Sequence, residues 1–600
     1  MPRAGSGWTS PPGIRGDGPR ARPATSTWCS SGARRVPDRI SRQEHALRHG
    51  PTIGDRVRLG DTDLWIRIED DLTEPADQVL WGYAKNLRSR MGQHDRATSE
   101  SELDAVIGGA IVVDPLVGIV KADVGIKDGR VVGIGRAGNP DIMDGVDLTI
   151  GPGTWPIPCH GLLVTPGAVD SHVHLLSPRL VPVALSAGVT TLVTAGFEEP
   201  AWRMIRTFEA FERLPVNLGL QASARTDVSG SAERAILSGA IGLKVHEDWG
   251  ASAQIVDATL ATAEAFDVAV CLHTDGLNES GELEETVAAI AGRSVHAYHV
   301  EGAGGGHIPD LLAIVREPNV ICSSTTPSLP YGRATAAEHV DMIQIVHEGN
   351  PSLPEDVAAA RERIHPKTMA AEGPLHELGA ISIVNSDSQG MGRIGETVRR
   401  TWQLAHAMKS WRASAAGEGW PDALPIEDDD NRRVLRYLAK HTVEPARTHG
   451  LHEEVGSLAP GHLADLVLWD PSSFGAKPLA VMKGGAIAWG PIGEGNASVH
   501  GSEPTRFGPD WGGTGDAPPG LAATFVSAAA VESGIAHTLR TRRRVVAVRG
   551  TRGFRRTDLI ANTAVPPIEV SRTDGAVTLD GRELAAEPVS NVPLSRRYFL

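Results

Sequence analysis

Two patterns of hydrophobic and polar positions divide the chain. From residue 41 to about 165, short runs alternate apolar and polar residues between Gly and Asp-Gly turns, as in GIVKADVGIKDGRVVGIG. Alternation with a period of two is typical of half-buried strands. Runs of the same kind return at residues 456–500, in ADLVLWDP and AVMKGGAIAWGP. We expect the two stretches to pair and to form one β-rich domain from segments on both sides of a central domain.

The central stretch, residues 166–455, follows a different pattern. Short continuous apolar runs such as GLLVTPGAVDSHVH, TTLVTAG and VAVCLHTD alternate with segments of helical periodicity such as SAQIVDATLATAEAF. A strand followed by a helix, repeated eight times, is typical of a (β/α)8 barrel. The predicted fold class is therefore α/β, a TIM-like (β/α)8 barrel with a second β-rich domain built from N-terminal and C-terminal segments.

The two ends of the chain carry less information. Residues 1–40 are rich in Arg, Pro, Gly and Ser without an apolar core, which predicts a disordered tail and excludes a secretory signal. Residues 501–600 are predicted to form a C-terminal extension that contributes surface and subunit contacts. Its basic run, TRRRVVAVRG, is interpreted as a solvated face or a subunit contact.

Charge and cysteine content narrow the classes of function. A formal net charge of -15 argues against nucleic acid or an anionic membrane as a partner. The four cysteines are scattered without a CxxC pair, which argues against a disulfide framework or a cysteine zinc site and fits a reducing compartment. No run approaches the length of a transmembrane helix, so we expect a cytoplasmic protein.

Polar side chains concentrate at the carboxyl ends of the predicted strands, where the active sites of such barrels lie. In DSHVH, side chains two residues apart on a strand share a face, so His172 and His174 should converge. His273, His299 and Asp387 end other strands. A single buried histidine is more often a core residue than a ligand. Five imidazole and carboxylate groups at the ends of strands of one barrel favour a site for two borderline ions such as Zn or Ni.

Lys244 lies in an apolar strand, AIGLKVHEDW, where a buried ammonium is costly unless it is paired or chemically changed. Addition of CO2 would convert the amine to a carbamate, an anionic bridge with two oxygen atoms between two metal ions. The alternative is a lysine that reaches the barrel rim or pairs with Glu247 or Asp248. The nearby histidines favour the bridge.

These segments resemble the α (catalytic) subunit of urease, a member of the metal-dependent amidohydrolase superfamily. The resemblance is carried by DSHVH, GLKVHEDWG, LHTDGLNESG, HAYHVEGAGGGH, SSTTPSLPY and SDSQGMGR, and it runs from about residue 41 to the terminal RRYFL. It implies hydrolysis of urea to ammonia and carbamate, which decays to CO2, with metal-activated hydroxide as the nucleophile. It also implies two Ni²⁺ ions per chain, bridged by Lys244 as N6-carboxylysine. The remaining implied ligands are His172, His174 and Asp387 for one ion, with Asp387 also catalytic, and His273 and His299 for the other.

The resemblance implies roles for further residues. His246 would donate to the urea oxygen, while Asp248 and Arg363 would orient the acid and the substrate. Residues 331–366, predicted as two helices with a loop, resemble the mobile flap that covers a urease site. His347 on this flap matches the general acid, although its spacing alone favours a solvent-facing histidine at a helix end.

Partners are implied by the same resemblance. Urease β and γ subunits would be separate chains, and the assembly would be a trimer of heterotrimers. Accessory proteins would load the nickel. No nucleic acid or membrane is expected in the complex.

The chain departs from the family at the loop after the second barrel strand. TAGFEEPAW, residues 194–202, is shorter than the usual stretch and brings in Glu198 and Glu199. The shorter loop either widens the pocket and changes the substrate, or its space is filled by neighbours. Two alternatives therefore stay open: a dinuclear amidohydrolase of another small amide or ureide, and a non-catalytic urease paralogue. The complete set of ligand-type residues argues against the paralogue.

Overall fold

The computed structural model describes residues 39–595 except for short internal stretches, which are 75–76, 82–84, 197–199, 248–249, 303–305, 421 and 493–505. The predicted tail, residues 1–40, lies almost entirely outside the described residues. Among the described residues, no helix combines the length and the apolar character that a membrane crossing requires.

One large sheet joins the N-terminal and C-terminal segments. Its N-terminal strands are Asp70–Asp71, Ala105–Asp114, Gly118–Lys127, Arg130–Gly135, Trp155–Pro158 and Leu163–Pro166. Its C-terminal strands are Leu466–Trp469, Ala480–Lys483, Ala486–Ile492 and Arg506–Pro509. Leu163–Pro166 is the junction, since it pairs in parallel with Ala105–Asp114 and antiparallel with Leu466–Trp469. The predicted β-rich domain drawn from both ends of the chain is confirmed.

The two segments share one apolar core. Ile107, Val112 and Val164 pack there with Leu466 and Leu468, all of them buried. Burying a side chain of this size contributes about 1.5–3 kcal/mol. The early strands therefore depend on the late ones for much of their stability, and the barrel is inserted between the two.

Eight parallel strands form the barrel. In chain order, strands 1 to 8 are Ala168–Val173, Val189–Thr194, Asn217–Gly219 with Gln221–Ser223, Gly242–His246, Ala269–His273, Val295–Tyr298, Val320–Thr325 and Ile383–Asn385. A parallel bridge between Val173 and Ser388 joins the last strand to the first and closes the ring. The predicted (β/α)8 barrel is confirmed.

Helices connect the barrel strands on the outside. They are Val181–Ser186, Ala201–Ala210, Ser229–Leu237, Ala253–Phe266, Leu283–Ile290, the 3-10 helix Pro309–Arg316, Pro366–Leu378 and Thr397–Arg412. Two further helices, Asn431–Ala439 and Val443–Thr448, follow the last connection. The Val169 amide, near the start of strand 1, donates to the His441 carbonyl between these two helices. This segment therefore closes the N-terminal end of the barrel.

Two helices form an additional layer between strands 7 and 8. They are Thr335–Val346 and Pro354–Glu362, joined by a loop. Ile343 and Ala360 are buried against each other in a small cluster with Ile364 and Met369. We call residues 331–366 the flap, and the helix–loop–helix expected from the sequence is what the chain forms there.

The C-terminal extension packs on the barrel. Its strands Ala523–Ser527 and Arg544–Val548 run parallel to Asn217–Gly219 and continue that sheet outward. The interpretation of the basic run as a solvated face is wrong for Arg543, which is buried and donates to the carbonyls of Phe211 and Val216. Burial lowers the pKa of Arg543 to about 10. Five guanidinium hydrogens can satisfy several backbone carbonyls at once, so this arginine fixes the extension to the barrel.

Short elements complete the chain. They are the helices Arg42–His49, Pro518–Leu521, Ala528–Glu532 and Ile535–Leu539 and the strands Arg56–Arg58, Trp65–Arg67, Ala137–Gly138, Leu148–Thr149, Ile568–Val570, Val577–Leu579 and Arg582–Glu583.

Candidate metal centre

Three ligand-type side chains meet where the barrel closes. His172 and His174 lie at the carboxyl end of strand 1, and Asp387 follows strand 8. The Asp387 Oδ1 atom is 3.4 Å from Nε2 of His172 and 3.1 Å from Nε2 of His174. One ligand atom from each residue lies within 4.8 Å of the other two. This spacing is compatible with three ligands around one ion, each at about 2.0–2.2 Å from the metal.

The protonation state of His172 suits metal binding. Burial, with smaller effects from the charges of Lys244 and His174, holds the pKa of His172 well below its usual value. The imidazole is therefore neutral at physiological pH, which is the form that binds metal ions. Among the described residues, the buried Oδ1 atom of Asp387 has no hydrogen bond of good geometry, although two imidazoles face it. The residues present therefore fit a divalent cation.

A second pair of histidines lies next to the first group. His273 ends strand 5 and His299 follows strand 6, and their ring centroids are 4.5 Å apart. The His299 ring is 5.6 Å from that of His172. His246 at the end of strand 4 stacks on His273, with centroids 3.9 Å apart and planes 11° apart. The ends of strands 1, 4, 5, 6 and 8 therefore bring their imidazoles and one carboxylate into one place.

Two of these residues have a left-handed backbone. The φ angle is 35° at His299 and 53° at Asp387. A non-glycine residue in this region costs about 1–3 kcal/mol, and such residues persist mainly where the surrounding structure over-determines them. His299 directly follows strand 6, and Asp387 is the second residue after strand 8.

Lys244 lies inside the barrel. Its side chain is 3% exposed, and its Nζ atom is 3.8 Å from the centroid of the Tyr298 ring. His172 stacks on the same ring at 3.9 Å. Gly196 lies so close that a Cβ atom there would be 2.7 Å from the Lys244 Cβ atom. The lysine is thus held among the candidate ligands, and the alternative of a side chain extending to the barrel rim does not describe its position.

Tyr298 is itself fixed by hydrogen bonds. Its hydroxyl donates to the Ser171 carbonyl at 2.7 Å and accepts from the Gln221 amide at 2.9 Å. These contacts hold the ring that both His172 and Lys244 contact.

Asp170 is a buried carboxylate that the sequence reasoning passed over. It accepts hydrogen bonds from the amides of His172 and Ser386 and from the Thr397 hydroxyl at 3.0–3.2 Å. It therefore ties the His172 segment to the Asp387 segment. Burial raises its pKa to about 6. The sequence motif could have indicated this residue, because Asp170 is two residues before His172 and lies on the same face of the strand.

We expect Asp170→Ala to weaken metal binding by about 10–100-fold, the usual cost of losing a residue that orients ligands. Two backbone amides and one hydroxyl would lose their acceptor, and both ligand segments would gain freedom. Metal retained per chain after dialysis against a graded chelator series measures the effect. Asp170→Asn keeps an acceptor oxygen and should lose less; equal losses in both variants would contradict this positioning role.

The flap is anchored to the loop after strand 5. The Arg363 guanidinium pairs with Glu279, and its Nη1 atom is 3.8 Å from Asp275 Oδ2. Asp275 pairs in turn with the His307 ring. Burial raises the pKa of Asp275, and the nearby His307 opposes that effect. Asp275 and His307 were not among the predicted site residues, although both stand in quoted motifs, LHTDGLNESG and EGAGGGH.

His347 lies on the flap, not in the barrel. It ends the helix Thr335–Val346, is half-buried, and has its Nδ1 atom 3.2 Å from the Ile343 carbonyl oxygen. The structure thus brings six predicted ligands and His246 together in the barrel, whereas His347 and Arg363 lie on the flap. Asp248, Glu198 and Glu199 lie outside the described residues.

Comparisons with known proteins identify the family of the chain. A model of the "Amidohydrolase family" matches residues 163–495, more than half of the chain, and a model of the "Urease alpha-subunit, N-terminal domain" matches residues 38–157.

Solved structures that resemble the chain include three hydrolases. A D-hydantoinase (dihydropyrimidinase) from Thermus sp. is 16% identical, with 64% of this chain and 95% of that chain covered and a TM-score of 0.45. An L-hydantoinase (dihydropyrimidinase) from Arthrobacter aurescens is 17% identical, with 64% of this chain and 96% of that chain covered and a TM-score of 0.41. A D-aminoacylase is 18% identical, with 65% of this chain and 97% of that chain covered and a TM-score of 0.45. The family assignment depends on the sequence model and on the barrel. The chain therefore belongs to the amidohydrolase family and is a metal-dependent hydrolase.

Proposed function

We propose that this protein is the catalytic α subunit of a urease, which hydrolyses urea to ammonia and carbamate at a dinuclear nickel centre. The observation that carries the proposal is the buried lysine, Lys244, whose Nζ atom faces the Tyr298 ring on which His172 stacks, inside the barrel whose strand ends carry the imidazoles and the carboxylate. The match of residues 38–157 to a urease α-subunit domain supports it from a part of the chain outside the barrel.

The residues present divide into two ligand groups. His172, His174 and Asp387 would hold one ion, and His273 and His299 would hold the other. Lys244, as a carbamate, would supply one oxygen to each. When bound, the two ions would acidify water and polarise the urea carbonyl.

The other side chains would bind the substrate and move its protons. His246, stacked on His273, would donate to the urea oxygen. On the flap, the Ile343 carbonyl favours a proton on Nδ1 of His347, so Nε2 is the atom that would take up and deliver the second proton. That proton would go to the departing nitrogen of urea. Closure of the flap, held through Arg363, would exclude bulk water.

The proposed function implies partner proteins. Separate β and γ subunits would assemble with this chain as a trimer of heterotrimers, and accessory proteins would supply nickel and promote carbamate formation on Lys244.

Ammonia release from urea tests the proposal directly. The tagged chain is isolated with its partners from its own cells after growth with nickel. Urea-dependent ammonia release from this complex, and much lower release from cells deprived of nickel, would support it. A nickel-loaded complex that leaves urea intact would overturn it.

The short loop after strand 2, residues 194–202, favours a second candidate, the hydrolysis of a bulkier amide or ureide. A loop that occupies less of the barrel mouth would leave room for a substrate larger than urea. Specificity constants for urea, a cyclic ureide and an N-carbamoyl amino acid separate the two candidates: the highest value for urea supports urease, and the highest for a larger compound supports the alternative.

A further inference from the structure

A second cluster of ligand-type side chains lies deeper in the barrel. Cys271 is on strand 5, His296 is on strand 6, and His449 follows the helix Val443–Thr448 that closes the N-terminal end. All three are at most 1% exposed. Cys271 is paired in register with both Lys244 and His296. Because Cys271 is two residues before His273, the cluster lies about 7 Å along the strand from the metal centre described above.

The distances within the cluster suit one ion. The Cys271 Sγ atom is 4.0 Å from Nδ1 of His296, which is 3.2 Å from Nε2 of His449, and the three atoms lie within 4.8 Å of one another. Nitrogen ligands lie about 2.0–2.1 Å from a d10 ion, and sulfur ligands lie about 2.3 Å from it. Around one ion, two nitrogen ligands are therefore about 3.3–3.6 Å apart, and a nitrogen and a sulfur ligand are about 3.6–3.8 Å apart. Shifts of a few tenths of an ångström would close the difference for these two distances, and a shift of at most about 1 Å would close it between Sγ of Cys271 and Nε2 of His449.

We propose that Cys271, His296 and His449 form a closed site for a single monovalent copper ion, separate from the dinuclear centre. Thiolate is among the soft ligands that select Cu(I) and Zn²⁺, and imidazole suits both copper and zinc. Formation of the copper–sulfur bond releases the thiol proton to solvent. No electron is transferred when the ion enters as Cu(I).

Charge distinguishes Cu(I) from Zn²⁺ at this depth. One thiolate and two neutral imidazoles around Cu(I) carry no net charge, whereas the same ligands around Zn²⁺ leave one positive charge. Burying a net charge without a counter-ion is costly. Arg552 is a cationic side chain that acts on Cys271, and its charge disfavours a divalent ion further.

The protonation of the two histidines is compatible with binding. Burial is the largest effect on both rings. It lowers the pKa of His449 to about 3 and, with smaller contributions from neighbouring charges, holds that of His296 well below its usual value. Both imidazoles are thus neutral at physiological pH. Without an ion, the cluster would be a hydrogen-bonded histidine pair beside a thiol, and this is the outcome that the experiment must separate from copper binding.

The test counts copper in the intact, nickel-loaded complex. The complex is purified without oxygen from cells grown with nickel and copper, and copper is measured by mass spectrometry and by competition with a chromophoric Cu(I) chelator. We expect one copper per chain, with one sulfur neighbour in the copper X-ray absorption spectrum. Cys271→Ser and His449→Gln should each lower Cu(I) affinity by at least tenfold (about 1.4 kcal/mol). Cys159→Ser, which removes a buried thiol from the β-rich domain, is the matched control and should bind copper normally.

Nickel content and the thermal midpoint of each variant show whether it is folded, and Cys271→Ala replaces Cys271→Ser if the latter is not. Absence of copper from the wild-type complex would overturn the proposal. Copper that is kept in Cys271→Ser but lost in Lys244→Ala would place the ion in the dinuclear centre and would also overturn it. These measurements do not involve urea. Absence of copper would therefore leave the proposed urease activity unaffected, and absence of urea hydrolysis would leave the proposed copper site unaffected.

Discussion

Lys244→Ala is expected to remove the bound metal and the hydrolytic activity together. The lysine is buried among the candidate ligands, and His172 stacks on the same Tyr298 ring that its Nζ atom faces. Without a bridging carbamate, two divalent ions would repel each other across a site with a single carboxylate. We expect less than one tightly bound ion per chain and no turnover above background. Metal analysis and ammonia release from the same preparation measure both effects.

A matched control separates this effect from the general cost of losing a buried lysine. Lys121 is also fully buried, but it lies in the β-rich domain near Asp71. Lys121→Met should lower the thermal midpoint and leave the metal content unchanged. Retention of both ions in Lys244→Ala would rule out the bridge.

His347→Ala is expected to retain the metal and to lose about 10²–10⁴-fold in turnover, the usual contribution of a general acid. The residue lies on the flap and is not part of either ligand group. Its ring donates to the Ile343 carbonyl through Nδ1 in the tautomer proposed above, which leaves Nε2 for proton transfer. Turnover numbers at saturating urea, with nickel counted in the same samples, give the result.

The conservative variant His347→Gln distinguishes proton transfer from a purely structural role. Glutamine can still donate to the Ile343 carbonyl at the end of the helix, but it cannot act as an acid at neutral pH. If proton transfer is the role, His347→Gln should be as slow as His347→Ala. A glutamine variant with nearly full activity would leave the histidine only its structural contact.

The barrel and the main ligand groups could be predicted because their signals are local. A period of two places His172 and His174 on one face, and the end of a strand is visible where an apolar run stops. Parallel strands bring their carboxyl ends to one side of the barrel, so distant ligands were assigned to one site without knowledge of their contacts. The β-rich domain was predictable for the same reason, since its strands alternate at both ends of the chain.

Other features depend on contacts that no short motif records. Cys271, His296 and His449 come from distant segments, and the His449 segment reaches the cluster only because it closes the bottom of the barrel. Arg543 lies in a basic run, which indicates a solvated face. In the structure it is buried and donates a hydrogen bond to the Val216 carbonyl, just before the third barrel strand. Asp170 was recognisable from its position in DSHVH, but its role required the hydrogen bonds to Ser386 and Thr397.

A crystal structure of the nickel-grown complex, with diffraction data collected at the nickel absorption edge, would show whether Lys244 joins two nickel ions. We expect two anomalous peaks at the carboxyl ends of the barrel strands. One should lie among His172, His174 and Asp387 and the other beside His273 and His299, with density extending from Lys244 Nζ to both. A single peak, or two peaks with an unmodified Lys244 amine packed on Tyr298, would contradict it.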